Sequence, residues 1–182
     1  MKKILIVLLC LPSFIFAQFC GTSGYTTIVT TQAEVDALGG CTTFLGNLTI
    51  ANQGANITNL DSLVNIQTIE GDFLIEEMQW QNIDIIMPSL THINGFLRIY
   101  KCRANKLLMP ALNSTNGNLS LDTWLGDSLN FESLTSTNNI YISRCGQEIQ
   151  SNYNSFGVHT FNSLTSVNEL RFEQCWGGKI IS

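Results

Sequence analysis

"GFLRIYKC" occupies residues 95–102, with apolar side chains at Phe96, Leu97 and Ile99 and a cysteine three places after the isoleucine. The rhythm returns as "NIYISRC", ending at Cys145, and as "ELRFEQC", ending at Cys175. Aligned on the second apolar residue, six such phrases fall together: Ile50, Ile75, Ile99, Leu121, Ile142 and Phe172, at offsets of 25, 24, 22, 21 and 30. Two places earlier stand Leu48, Phe73, Leu97, Leu119, Ile140 and Leu170, all apolar. Four places earlier stand Gly46, Gly71, Gly95, Gly117, Asn138 and Asn168. Gly and Asn best tolerate positive φ, so each unit is expected to turn sharply there and then enter a short strand.

Further columns precede the turn. Leu63, Met87, Met109, Phe131 and Phe161 form one; Ile66, Leu90, Leu112, Leu134 and Leu164 form the next; Ile69, Ile93, Thr115, Thr137 and Val167 form a third. A unit of 20 to 30 residues cannot bury its own apolar face, and stacking neighbours supplies the core. The predicted fold is therefore mostly β, a parallel β-helix or leucine-rich-like solenoid of about six short coils. Its strands stack about 4.8 Å apart, and the L-x-I alternation sends two side chains inward and their neighbours outward.

The phrase L-x-I-x-x-C matches the strand of a leucine-rich repeat, L-x-L-x-x-N/C, whose last position is a turn residue aimed inward. Here that column reads Gln53, Met78, Cys102, Trp124, Cys145 and Cys175. Two readings of its cysteines stand open: small buried hydrophobes, or a disulfide joining Cys145 to Cys175 on adjacent coils.

The ends differ from the repeats. Residues 1–17 read as a signal peptide: Lys2-Lys3 ahead of an apolar Ile4–Leu11 stretch, then Ala17 before a cleavage site at Gln18. Neither Cys10 nor Cys20 has the small residues before it that a lipid anchor needs, so a lipoprotein is rejected. Residues 18–45 read as an N-terminal cap and 46–182 as the repeat solenoid. Within the cap, "TTQAEVDALGGC" carries a capping box at Thr31 and Glu34, an apolar side at Ala33, Val35, Ala37 and Leu38, and a Gly39-Gly40 stop. Cys20 and Cys41 bracket that short helix and are predicted to be bridged. After Cys175 only "WGGKIIS" remains, with no cap for the last coil. The expectations are a chain that continues beyond Ser182 in the natural protein and, in isolation, self-association through the uncapped coil.

"TTQAEVDALGGCTTFLGNLTI", followed by "NLDSLVNIQTIEGDFLI" and "MPSLTHINGFLRI", resembles the receptor L domain family in its bacterial secreted form. The resemblance covers roughly residues 25–175. It implies a right-handed β-helix and a binding role in receptors or surface proteins, with no shared catalytic motif. Bacterial relatives often carry a downstream sorting domain, which fits a truncated chain.

Composition narrows the function. The formal net charge is −5, and the nine Lys and Arg residues are scattered apart from Lys2 and Lys3. Nucleic acid, which needs clustered cations, is excluded as a partner. No apolar stretch is long enough to span a bilayer. Export makes the protein secreted or surface-held and its disulfides permissible.

Outward strand positions make three stripes: Thr49, Leu74, Arg98, Ser120, Tyr141 and Arg171; then Ala51, Glu76, Tyr100, Asp122, Ser143 and Glu173; then Asn47, Asp72, Phe96, Asn118, Asn139 and Glu169. Arg98, Tyr100, Tyr141 and Arg171 stand near the middle, and Tyr and Arg are typical of binding hot spots. The plainer reading is a solvated face with cross-strand pairs such as Glu76 beside Arg98. The final offset of 30 leaves a surplus segment, "GQEIQSNYNSFGVH" at 146–159, whose Tyr153 and Phe156 are candidate ligand contacts. The ligand is expected to be a protein or a glycan; a passive spacer is the alternative. A glycan-cleaving β-helix would need acids clustered on neighbouring coils, and Glu76 and Asp122 are separated by Tyr100. His92 and His159 have no nucleophile at catalytic spacing, no metal or cofactor site is read, and the outward stripes lack the repeated threonines of an ice-binding face. "DSL" at Asp61–Leu63 and Asp127–Leu129 makes Ser62 and Ser128 candidate O-glycosylation sites, and sequons occur at Asn47, Asn56, Asn113 and Asn118.

Overall fold

A computed structural model describes residues 18–54, 56–78, 82–126, 128–145, 158–175 and 179–181. The chain opens with β1 (Phe19–Val29), α1 (Gln32–Asp36), β2 (Thr43–Ala51), β3 (Thr68–Ile69), β4 (Phe73–Glu76), β5 (Ile85–Ile86), β6 (His92–Ile93) and β7 (Leu97–Cys102). It continues with β8 (Lys106–Leu108), β9 (Ser114–Thr115), β10 (Leu119–Trp124), β11 (Ser128–Asn130), β12 (Asn139–Ser143), β13 (Val158–Thr160), β14 (Glu169–Glu173) and β15 (Lys179–Ile181). All pairings are parallel, and the strands of successive units stack as β2-β4-β7-β10-β12-β14 in one sheet and β5-β8-β11-β13-β15 in another. Six repeat strands thus bound about five turns of a parallel β-solenoid.

The register matches the aligned phrases residue for residue. Leu48, Phe73, Leu97, Leu119, Ile140 and Leu170 pair in succession, as do Ile50, Ile75, Ile99, Leu121, Ile142 and Phe172. Both columns are buried from the first repeat strand to Ile140 and Ile142. On the last rung Leu170 is 48% and Phe172 37% exposed, because no further described strand lies over them. The columns ahead of the turn line the same core, and Thr115 and Thr137 enter it with their hydroxyls 2.7 Å apart, both reaching the Gly117 carbonyl. A buried hydroxyl is tolerated there because it is hydrogen-bonded.

Three expectations are corrected. First, the turn column is not a column of positive φ. Only Gly46 in it has φ in the left-handed region, at +79°. The physical reason for glycine is close approach. Backbone hydrogen bonds run along the turns from Gly95 N to Gly71 O (3.0 Å), Gly117 N to Gly95 O (2.9 Å) and Asn138 N to Gly117 O (3.1 Å). A Cβ at Gly95 would stand 2.8 Å from Asp72 N and from Gly71 C. The left-handed residues come later in each unit: Glu77, Lys101, Thr123, Arg144 and Gln174, with φ between 50° and 60°. Each immediately precedes a residue of the predicted inward column and turns the chain toward it.

Second, Gln53 does not belong to that column. It is exposed, and the first unit instead buries Asn52, whose amide donates to Ile57 O and accepts from Ile57 N. The remaining members hold: Met78, Cys102, Trp124 and Cys145 are buried and Cys175 is half-buried. Cys145 and Cys175 are free thiols.

Third, Thr49 and Ala51 are buried rather than outward-exposed. Thr49 is a short side chain between the longer in-register Ile28 and Leu74.

The region before the first repeat holds more than a helix. α1 has the predicted capping box, with Thr31 Oγ1 accepting from Glu34 N and Glu34 Oε2 accepting from Thr31 N. β1 was not anticipated. It pairs with β2, placing Val29 beside Ile50, and its register is broken between Gly21 and Thr26. Cys20 on β1 is disulfide-bonded to Cys41, with Cα atoms 5.8 Å apart. At the other end, β15 stacks on β13 of the last coil: Ile180 pairs with His159 and continues the Leu107–Leu129–His159 column as the next rung of the second sheet.

Candidate functional site

The outward face of the first sheet carries the four predicted strand residues. Arg98 and Tyr100 are alternate residues of β7, so they leave the sheet on the same side. The Arg98 guanidinium lies 4.9 Å from the centre of the Tyr100 ring, and Lys101 Nζ approaches the same ring at 4.9 Å. These are cation–π distances. Lys101 also pairs with Glu77 at 3.0 Å, and that hydrogen bond raises the ammonium above its ordinary range. The left-handed conformation of Lys101 and Glu77 brings the two long side chains together across adjacent coils.

Tyr141 and Arg171 are in-register neighbours on β12 and β14. With Ser143 and Glu173 they line a shallow depression of about 140 Å³. Tyr141 Oη donates to Glu169 Oε2 at 3.2 Å, and burial together with that carboxylate raises the phenol. Arg171 is ion-paired with Glu173 on its own strand. The structure therefore brings the four candidates together as two pairs, Arg98–Tyr100 and Tyr141–Arg171. The rung of Ser120 and Asp122 lies between them. Arg98 and Arg171 are three strand steps apart, about 14 Å at 4.8 Å per step.

Sequence reasoning missed what fills that gap. Asp122 accepts two hydrogen bonds from Arg144, at 2.9 Å from Nε and 2.6 Å from Nη2, and a third from Ser143 Oγ at 3.1 Å. A two-pronged Arg–carboxylate pair of this kind is the strongest of the surface ion pairs. Burial works to raise the Asp122 carboxyl, but the bonds from Arg144, Ser143 and Thr123 outweigh it and hold the group below its ordinary value. The signal was available: Asp122 and Ser143 share a stripe, and Arg144 follows Ser143. The predicted pairing of Glu76 with Arg98 gives way to a different arrangement. Glu76 stands opposite Tyr100 in register, and Arg98 turns over the Tyr100 ring.

Tyr153 and Phe156 lie outside the described residues, as do residues 1–17. Ser62 is half-buried on a 3-10 turn (Asp61–Leu63), with its hydroxyl 3.5 Å from Asp36 Oδ1. Ser128 is half-buried at the start of β11. Of the sequon asparagines, Asn47 is committed internally: its amide donates to Thr26 Oγ1 and accepts from Asp72 N. Asn118 Oδ1 likewise accepts from Asn138 and Asn139. His92 is exposed on β6, with Nδ1 3.0 Å from Thr91 Oγ1. Among the described residues, no group of three or more His, Cys, Asp or Glu could hold a metal ion. No described helix is long and apolar enough to cross a membrane.

The receptor L domain family model matches residues 40–97, from the end of the α1 region to the first residue of β7. No curated protein and no solved structure matches the chain. The partial match and the stacked parallel coils together support a leucine-rich-repeat-like β-helix fold.

Proposed function

We propose that this protein is a non-enzymatic interaction module of the cell exterior, exported by its first 17 residues, that binds a protein or a glycan through the outward face of its first sheet. The observation that carries this reading is the Tyr100 ring approached by both Arg98 and Lys101, two rungs from the Tyr141–Arg171 depression. Aromatic rings fixed on a rigid sheet offer contact area at low entropic cost, and adjacent cations supply directional polar contacts. The surplus segment with Tyr153 and Phe156 extends the same binding role, since loops on a rigid scaffold often carry recognition. A glycan-bearing form, modified at Ser62 or Ser128, is compatible with it.

The second reading is a spacer within a longer surface protein, self-associating or stacked end to end through its last coil. What favours it is that Arg144, Arg171 and Lys101 already have carboxylate partners on the face. Exposed Leu170 and Phe172 favour the self-association. Screening the purified protein against glycan and cell-surface protein arrays separates the readings. A saturable ligand supports the module; no ligand, together with concentration-dependent light scattering, supports the spacer.

A further inference from the structure

Cys145 and Cys175 occupy the same position on successive coils. β12 and β14 run in register from Asn139↔Glu169 to Ser143↔Glu173, and each cysteine follows two residues later, after a left-handed residue, Arg144 or Gln174. The two chain paths into the cysteines are therefore alike, and parallel neighbours sit about 4.8 Å apart. That is inside the Cα separation a disulfide spans, about 4.4–6.8 Å. Both sulfurs lean the same way along the stack: Cys145 Sγ reaches back to Leu121 O at 3.8 Å, and Cys175 Sγ reaches back to Ile142 O at 3.4 Å, which directs the Cys175 thiol at the coil that holds Cys145. The Cys175 thiol acts directly on Cys145, burial first and then this contact helping to keep the Cys145 proton on.

The two sulfurs differ in access. Cys145 is fully buried and Cys175 is half-buried. The coil that carries Cys175 is also the one least held by apolar burial, since Leu170 and Phe172 remain partly exposed. Cys102 is set apart by Trp124, which occupies the same column on the coil between it and Cys145.

We propose that Cys145 and Cys175 form a disulfide staple that fastens the last coil to the one before it when the protein meets a disulfide oxidant. The oxidant class is a small or protein disulfide, for which oxidised glutathione serves as the probe. The Cys175 thiolate attacks one glutathione sulfur, breaking its S–S bond and releasing one glutathione thiolate. The Cys145 sulfur, giving its proton to the glutathione thiolate already released, then attacks the Cys175 sulfur of the mixed disulfide, forming the protein S–S bond and releasing the second glutathione. The two protons leave the protein thiols for the two glutathiones, so one disulfide is reduced as one forms. The staple closes the segment between the two coils, residues 146–174, into a covalent loop.

The test is oxidation of the full purified protein with oxidised glutathione, followed by acid quench, unfolding, alkylation and peptide mapping. The expected result is loss of alkylation at Cys145 and Cys175 together, a linked peptide pair containing both, and unchanged alkylation of Cys102. Cys145→Ser supplies the second arm: it should accumulate a stable glutathione adduct on Cys175, because the resolving thiol is gone. Should that variant fail to fold, the wild-type map alone decides. The proposal is overturned if both cysteines remain alkylatable after oxidation, if Cys175 stops at the mixed disulfide in the wild type, or if the link formed involves Cys102.

Discussion

Replacing Gly95 with alanine tests whether the turn column is glycine for space or for conformation. The Gly95 φ lies outside the left-handed region, so alanine meets no conformational penalty. The cost is steric. The new Cβ would stand 2.8 Å from Asp72 N and Gly71 C, both backbone atoms that cannot rotate away, and would collide with Asp72 Oδ1. Asp72 Oδ1 accepts a 3.0 Å hydrogen bond from Phe96 N, which is lost when the carboxylate moves. Overpacking costs about 1–3 kcal/mol and the lost bond about 1 kcal/mol. Restricting the unfolded chain returns roughly 0.4–1 kcal/mol. The net expectation is a destabilisation of about 2 kcal/mol in urea unfolding followed by circular dichroism. Asn138→Gly is the matched control. It vacates a position that already accommodates a side chain, losing surface amide bonds to Asn118 and Asn168 at about 1 kcal/mol or less. A Gly95→Ala protein within about 0.5 kcal/mol of wild type would refute the close-approach reasoning.

Other outcomes follow from single features. Cys20→Ser should lower stability by about 3 kcal/mol, because the Cys20–Cys41 bridge closes a loop of sequence separation 21; urea unfolding with and without reductant reads this. Asp122 has a depressed folded-state pKa, so its bonds to Arg144 and Ser143 contribute stability above the ordinary value of 3.8 that is lost as pH falls through the lower folded value. Asp122→Asn should flatten the acid limb of a Tm-against-pH curve between pH 5 and pH 2 by roughly the share of one carboxylate. An unchanged limb would remove Asp122 from that role. Burial pushes the Cys102 thiol up to about 12, so iodoacetamide at pH 8 should leave Cys102 unlabelled in the native protein and label it after unfolding.

The stacked register was legible because its signal is redundant. Each inward position recurs on every coil, so Leu97 or Ile99 could be placed by five equivalents. β1 was not legible for the opposite reason. It lacks the G-x-L-x-I phrase, fully buries only Val29 with Cys20 partly buried against the core, and breaks register between Gly21 and Thr26. The left-handed column escaped notice because its residues are Glu77, Lys101, Thr123, Arg144 and Gln174, types with no special affinity for that conformation. Their common feature is positional: each must turn the chain so that the next side chain enters the core. Of the candidate site, the stripes were readable from periodicity, which fixes which side chains share a face. Their pairing was not, because Arg98 could reach Glu76 or Tyr100 equally well along a stripe, and only the side-chain paths decide between them.

The most direct test of the binding account is the affinity ratio between the wild-type protein and an Arg98→Ala/Tyr141→Ala double variant for whichever array ligand the wild type retains. Both side chains lie on the outward face and outside the core, so the variant should unfold at nearly the wild-type urea concentration. Loss of two hot-spot contacts at about 1–2 kcal/mol each predicts a Kd raised by roughly 30-fold or more. An unchanged Kd in a protein of unchanged stability would contradict the assignment of binding to this face.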